Sequence, residues 1–379
     1  MKTVGIICEY NPFHLGHEKQ FRHIRQRYGE DCAIVCLMSG NYVQRGQAAI
    51  FDKSLRAEAA VLSGADLVLE LPIPMVLSSA EGFAAGGVKI LSGFCDELCF
   101  GAETPEENRL MQAAQALLSP DFTPKLHAHL QQGISFPAAR QKALEDIGIE
   151  GHILTQPNNI LAVEYCKAIL QSGSTMKPMV IPREGNYHDT AADPHNPSAT
   201  SVRERILHSQ DWSHLVPERI YPLFASAPIH TMVAGERAVL AKLRSMTEEE
   251  FEALPYGSEG LWRKLMHACR SCASLEEIIA ATKSKRYART RLERMILCAF
   301  LGVHPDSIPN YTRVLGLRKS GQTVLKKARQ SGLFPHIGEK INDPYQLLEN
   351  RCDDLYGLFR VSGPDNAGKT EKRRIVLAE

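Results

Sequence analysis

The first twenty-eight residues constrain the fold more than any other stretch. Thr3-Val4-Gly5-Ile6-Ile7-Cys8 is a short apolar run of strand-forming residues. Glu9-Tyr10-Asn11-Pro12-Phe13 is a turn, and an amphipathic helix pattern opens at His14 and continues to about Tyr28. A strand feeding a helix through a tight turn leaves unpaired backbone N–H groups and the positive end of the helix dipole at the strand end, an arrangement suited to phosphate. The remainder of the chain can be read as what is built around that unit.

Strands are expected at 32–38, 65–72, 96–101 and 177–183, alternating with helical patterns at 52–63, 78–91 and 157–170. Pro178 and Pro182 place the last strand at an edge. Near-continuous apolar strands alternating with helices imply an α/β fold, a parallel sheet covered on both faces. Ligands in such sheets bind beyond the strand C-terminal ends, where the strand order reverses. The polar segments 11–17, 39–45, 70–72, 101–103 and 183–189 would converge there. Residues 189–198 read as a polar, proline-rich loop. Beyond about Tyr221 the pattern becomes mainly helical, at 234–245, 247–253, 260–269, 275–281 and 290–301. The final stretch, 308–379, reads as short helices and turns. The expected division is 1–215 for the α/β domain and 216–379 for a mainly helical region.

A chain of 379 residues with 44% hydrophobic and 23% charged residues has the balance of a soluble globular protein of two or three domains. No apolar run approaches the roughly 20 residues of a membrane helix. Met1-Lys2-Thr3 leads straight into a strand, without the pattern of a signal peptide. The ten cysteines are scattered, mostly on apolar stretches, which fits reduced thiols in the cytoplasm. The net charge of +1 hides an asymmetry. Residues 262–329 hold 15 Lys/Arg against 4 Asp/Glu, a local balance of +11, and everything else sums to −10. A basic segment on an acidic protein suggests a polyanion partner.

His14 and His17 stand three apart on the first helical turn and can face one phosphate. They are the candidate catalytic pair, stabilising charge on the α-phosphate of a nucleotide while pyrophosphate is displaced. Gly16 between them removes a Cβ where adenine or ribose would come close. From spacing alone, a pair of exposed helix histidines is an equal reading. Pro197-Ser198-Ala199-Thr200-Ser201-Val202-Arg203 places hydroxyls and a cation at another helix start, suited to β- and γ-phosphates or to ordinary helix capping.

Asn11-Pro12-Phe13-His14-Leu15-Gly16-His17 resembles the HxGH signature of the nucleotidyltransferase superfamily, and the segment 197–203 resembles its ISSTxxR signature, with Ala199 in place of one serine. Further segments are similar to the bacterial tRNA(Met) cytidine acetate ligase family: 9–14, 38–46, 64–72, 156–161, Tyr187-His188-Asp189, Lys285-Arg286-Tyr287 and Thr290-Arg291. The resemblance implies a Rossmann-like nucleotidyltransferase domain over 1–215 and a tRNA-binding region over 216–379. It implies an enzyme that activates acetate with ATP and acetylates the wobble cytidine of elongator tRNA(Met); Mg2+ is expected only because ATP chemistry generally uses it. It assigns ATP binding to Ile7, Cys8, Glu9, Tyr10, Asn11, Pro12, Phe13, His14, Leu15, Gly16, His17, Glu18, Lys19 and Gln20. Gly101, Asn158 or Asn159, Arg183, Ser198, Thr200 and Arg203 complete that set.

Lys283, Lys285, Arg286, Arg289, Arg291 and Arg294 are the candidate tRNA contacts, and Arg318, Lys319, Lys326, Lys327 and Arg329 form a second cluster. Arg45, Lys53 and Arg56 are further candidates for phosphate or RNA. Cys269-Arg270-Ser271-Cys272 is a single CxxC in a helical pattern, expected to be inert, and no dedicated metal site is expected. Two rival functions keep parts of these features. A small-metabolite adenylyltransferase would keep the histidines without RNA, and a non-catalytic RNA-binding protein would keep the fold alone.

Overall fold

In the computed structural model the described residues are 1–183, 197–284, 286–304, 309, 311–336, 344–364 and 375–378. The strands are β1 (Lys2–Cys8), β2 (Cys32–Ser39), β3 (Tyr42–Val43), β4 (Gln47–Ala48), β5 (Leu67–Leu71), β6 (Glu97–Ala102), β7 (Lys177–Pro182), β8 (Tyr311–Arg318), β9 (Phe334–His336) and β10 (Val376–Ala378). An eight-stranded sheet runs β10-β8-β5-β2-β1-β6-β7, with β9 paired to β8, and β3-β4 form a separate hairpin. β1 pairs in parallel with β2 on one side and β6 on the other. The order therefore reverses beside β1, and the crevice expected at that reversal opens at the turn after Cys8. β7 lies at the sheet edge, as its prolines require.

Both faces of the sheet are covered. Val4, Ile6, Ile34, Cys36 and Met38 point into one apolar cluster. Ala33, Val35, Leu37, Leu67, Leu69 and Leu71 point into the other. This alternation explains strands that read as unbroken apolar runs. The helices Leu15–Tyr28, Lys53–Leu62, Ala80–Leu91 and Pro157–Ser172 lie within two residues of their expected bounds.

The C-terminal stretch differs from its sequence reading. β8 runs antiparallel to β5, with Leu67 opposite Leu317 and Val68 opposite Gly316. β10 then pairs with β8. The sheet begun by β1, β2, β5, β6 and β7 is completed by β8, β9 and β10, so it takes strands from both sides of the expected 215/216 division. The physical reason is the exposed edge of β5, whose backbone groups need a partner. Of the expected loop segments, 184–196 lies outside the described residues, together with Tyr187-His188-Asp189.

Candidate active site

The turn after β1 is held from below by side chains that face inward. Phe13 is fully buried, and Tyr10 donates to or accepts from the Cys36 thiol at 3.3 Å. The Asn11–Pro12 bond is cis. Asn11 Oδ1 accepts from the Ile50 N–H at 2.8 Å, so this side chain fastens the turn to the next loop. Tyr10 and Phe13 set their rings 4.8 Å and 5.5 Å from that of His17, forming an apolar wall behind it.

His14 is the N-cap of the helix Leu15–Tyr28. Its Nδ1 accepts from the Gly16 N–H at 3.0 Å, and the His17 Nδ1 accepts from the His14 N–H at 3.3 Å. The His17 N–H is taken by the His14 carbonyl at 2.9 Å. The expectation of free backbone donors at this helix start is therefore corrected for Gly16, His17 and Glu18, whose N–H groups are taken by the His14 ring and carbonyl. An imidazole that accepts at Nδ1 carries its proton on Nε2 when neutral. Burial, then the neighbouring His17, Arg183 and Arg203, hold His14 well below the ordinary histidine range. Burial, then Arg183, lowers His17 to about 3. At neutral pH the site thus presents two uncharged Nε2–H donors on rings whose centroids lie 3.8 Å apart, tilted by 30°.

Gly16 has a different reason from the one expected. A Cβ there would lie 2.8 Å from His14 Cε1 and 3.0 Å from His14 Nδ1. The glycine makes room for the capping ring. At Gly101, on β6 across the strand-order reversal, a Cβ would meet nothing closer than 3.8 Å, so the protein itself does not demand glycine there.

The second helix start joins the first. Ser198 caps the helix Ala199–Leu207 by accepting from the Ser201 N–H at 3.0 Å, with Ser201 Oγ accepting from the Ser198 N–H at 3.2 Å. Arg203 donates from Nη1 to the Asn11 carbonyl at 2.6 Å and from Nη2 to Thr200 Oγ1 at 3.1 Å. A third group comes from the start of the helix Pro157–Ser172. Asn159 is spent on Thr104, its Oδ1 accepting from the Thr104 N–H and its Nδ2 donating to Thr104 Oγ1, both at 2.9 Å. Asn158 instead bridges outward, donating to Glu103 at 2.6 Å and accepting from Arg183 Nη1 at 2.9 Å. Glu103, missed from sequence, holds this helix start by accepting from the Asn158 and Asn159 N–H groups.

The outer part of the 7–20 segment serves the scaffold. Ile7 and Cys8 are strand residues facing the core clusters, Glu18 pairs with Arg219 at 2.5 Å, and Gln20 donates to the Cys99 carbonyl at 3.2 Å. Glu9 accepts from the Gln44 N–H at 2.7 Å, Leu15 is half-buried, and Lys19 is exposed. Lys53 and Arg56 are buried and bonded within the chain, which corrects their reading as phosphate or RNA contacts. Lys53 is 2% exposed and pairs with Glu70 at 2.7 Å and Asp353 at 2.6 Å. Arg56 is fully buried and donates to the carbonyls of Glu9, Ser39, Gly40 and Phe51. Arg45 is half-buried.

In the candidate RNA segment, Lys285 lies outside the described residues and Lys283 is exposed. Arg286 is exposed and pairs with Glu259 at 2.7 Å. Arg289 is held between Glu276 and Glu293 at 2.6 and 2.8 Å. Arg291 donates to the Tyr256 carbonyl at 2.7 Å, and Arg294 lies over the Tyr256 ring. Most of this cluster therefore also organises its own domain. All ten cysteines are free; Cys269 is buried at the end of a helix, and among the described residues no group of three or more His, Cys, Asp or Glu could hold a metal ion. Among them, too, no helix is long and apolar enough to cross a membrane.

Comparisons with known proteins agree with this geometry. The HIGH Nucleotidyl Transferase family model matches residues 1–368. A tRNA(Met) cytidine acetate ligase from Clostridium acetobutylicum is 35% identical over 92% of each chain. Another from Clostridium perfringens is 32% identical over 96% of each. Thermotoga maritima TmcAL, in an apo crystal form, superposes with a TM-score of 0.90 at 26% identity, covering 100% of this chain and 99% of that one. Its form bound with alpha-thio ATP gives 0.87 over the same shares. With two helix starts and an asparagine–arginine bridge meeting at the strand-order reversal, the chain belongs to the tRNA(Met) cytidine acetate ligase family of HIGH nucleotidyl transferases.

Proposed function

We propose that the chain is an ATP-dependent ligase that acetylates the N4 amine of the wobble cytidine of elongator tRNA(Met). A carboxylate oxygen of acetate attacks the α-phosphorus of ATP. The bond to the bridging oxygen of the β-phosphate breaks, and pyrophosphate leaves. The cytidine amine then attacks the carbonyl carbon of acetyl-adenylate, expelling AMP and losing a proton. The observation that carries this reading is the His14/His17 pair, whose capping bonds reserve both Nε2–H groups for a ligand.

Neutral donors suit the first step. They stabilise charge that shifts from the α-phosphate to the leaving pyrophosphate without giving up a proton. Arg183, steered by Asn158, and Arg203, tied to the Asn11 carbonyl, would add positive charge around the phosphates. The Ser198 and Thr200 hydroxyls would face the β- and γ-phosphates. Gly101 would admit the nucleotide beside β6. The described carboxylates form no cage of their own, so Mg2+ would arrive with the ATP phosphates. Lys283, Lys285, Arg286, Arg289, Arg291 and Arg294 would contact the tRNA, and of the described ones Lys283, Arg286 and Arg289 are exposed.

The test is incubation with labelled ATP, acetate and bulk tRNA, followed by pyrophosphate measurement and nucleoside analysis of the tRNA. Acetate-dependent pyrophosphate release with N4-acetylcytidine in the tRNA is expected. ATP turnover without acetate dependence, or unmodified tRNA, would overturn the reading.

A further inference from the structure

Residues 311–336 contain six Lys/Arg and no Asp or Glu. Two of the six are committed. Arg313 is drawn into a buried ion network, pairing with Glu70 at 2.7 Å and Asp353 at 3.0 Å, and Arg318 has an internal interaction. The other four, Lys319, Lys326, Lys327 and Arg329, are exposed, and among the described residues their side chains make no hydrogen bond or ion pair. The helix Gln322–Gln330 buries Val324, Leu325 and Ala328, so its apolar face is already used. Its outer face is polar and cationic throughout. Asp96, the acid that shares the surroundings of Cys95 with Lys327, is occupied by the Thr3 N–H at 2.7 Å.

The position of this face matters. The Arg318 N–H donates to the carbonyl of Asp66, just before β5, at 2.9 Å, and Ser331 packs against Gly93, ahead of β6. The helix thus lies along the N-terminal edge of the parallel strands, whereas His14 and His17 follow the C-terminal end of β1. Seven strand residues put about 23 Å between the two edges.

We propose that Lys319, Lys326, Lys327 and Arg329 form a docking face for RNA backbone, separate from the activating site and from the 283–294 segment. The inference rests on the RNA-substrate reading above. Four cations spaced over about 15 Å of turn and helix would otherwise repel one another on a surface segment that carries no Asp or Glu of its own. Lys327 and Arg329 also suit the negative end of the helix dipole, but that does not account for Lys319 and Lys326. A bilayer is disfavoured as the occupant because the outer face offers no apolar residue to insert. Phosphates answer the face completely: each contact releases counterions and makes affinity salt-dependent. The face would hold a helical stem of the RNA while the reacting loop reaches the opposite edge.

The test uses the full chain and the variant Lys326→Glu/Lys327→Glu/Arg329→Glu, with Lys326→Arg/Lys327→Arg/Arg329→Lys as the charge-keeping control. Transfer RNA affinity is measured across a salt series, with ATP affinity and thermal midpoint as folding controls. The charge-reversed variant should lose about tenfold to hundredfold in RNA affinity, and the slope of log affinity against log salt should fall by about 2–3. ATP affinity should stay unchanged, and the control should bind RNA as wild type does. Equal affinity and slope for wild type and charge-reversed variant would overturn the docking face while leaving the RNA-substrate reading intact. No RNA binding by wild type would overturn both. Unchanged RNA binding with lost adsorption to phosphatidylserine vesicles would assign the face to lipid and overturn the inference.

Discussion

Two polar clusters sit at the C-terminal edge of the same sheet and are built in opposite ways. Beyond β2 and β5, Lys53 and Arg313 meet Glu70, Glu349 and Asp353, and Asn41 Nδ2 donates to Asp353 at 2.8 Å. Every charge there has a partner within the chain. Beyond β1, the histidines use one nitrogen each for the helix start and leave the other uncommitted. The first cluster spends its polarity on joining residues 311–356 to the N-terminal strands. The second holds polarity in reserve. A saturated network is architecture, and a half-saturated one at the strand-order reversal is where a ligand fits.

Breaking the saturated cluster should have the largest effect on folding. Lys53→Ala leaves buried Glu70 and Asp353 to share Arg313 as their one cation in this cluster, and should cost about 3–5 kcal/mol of stability by denaturant unfolding. Unchanged stability would remove the network from the account. His17→Ala should act on chemistry, slowing acetyl-adenylate formation by about 10²–10³-fold, the loss expected for one placed donor. Its RNA affinity should hardly change.

Smaller effects sharpen the contrast. Gly101→Ala meets ordinary van der Waals space in the protein. Thermal stability should hold while ATP affinity falls by about tenfold, since a methyl group intrudes only on a bound nucleotide. A loss of stability without loss of affinity would make Gly101 a scaffold residue. The saturated cluster should also show a pH signature. Burial, then Glu70, pushes the Glu349 carboxyl up to about 8. Its contact with Arg313, at 3.5 Å, is the longest ion pair in the cluster, in keeping with a neutral carboxyl. The folded state then holds a proton that the unfolded chain releases near 4.5, so this contribution is full below that pH and lost as pH rises toward 8. Glu349→Gln should flatten the fall in stability between pH 5 and 8; an unaltered slope would place the proton elsewhere.

How much of this could be read from the sequence depends on how local the cause is. β1, its turn and the two histidines were legible because strand, turn and helix start are specified within 28 consecutive residues. The fate of Lys53 was not, because its partner Asp353 lies 300 positions away. β8 has its period of two in burial and not in the sequence: Thr312, Val314 and Gly316 are buried while Arg313, Leu315 and Leu317 are less so, and apolar residues fall in both sets. Such a run has no pattern that separates it from the turns around it. The role of Gly16 was misassigned because the ring it accommodates belongs to His14, two residues earlier, and only the capping geometry reveals that. Asn158 and Asn159 could be told apart only once Thr104 was seen to occupy the second.

The most direct test of the reserved-donor account is His14→Asn. Asparagine is among the best N-caps, so it keeps the helix start while removing the outward Nε2–H. The measurement is single-turnover acetyl-adenylate formation at matched folded fraction. The account predicts a thermal midpoint near that of wild type and a rate lowered about 100-fold or more. A rate within about threefold of wild type, with the helix start intact, would mean that His14 is only a cap and would contradict the account.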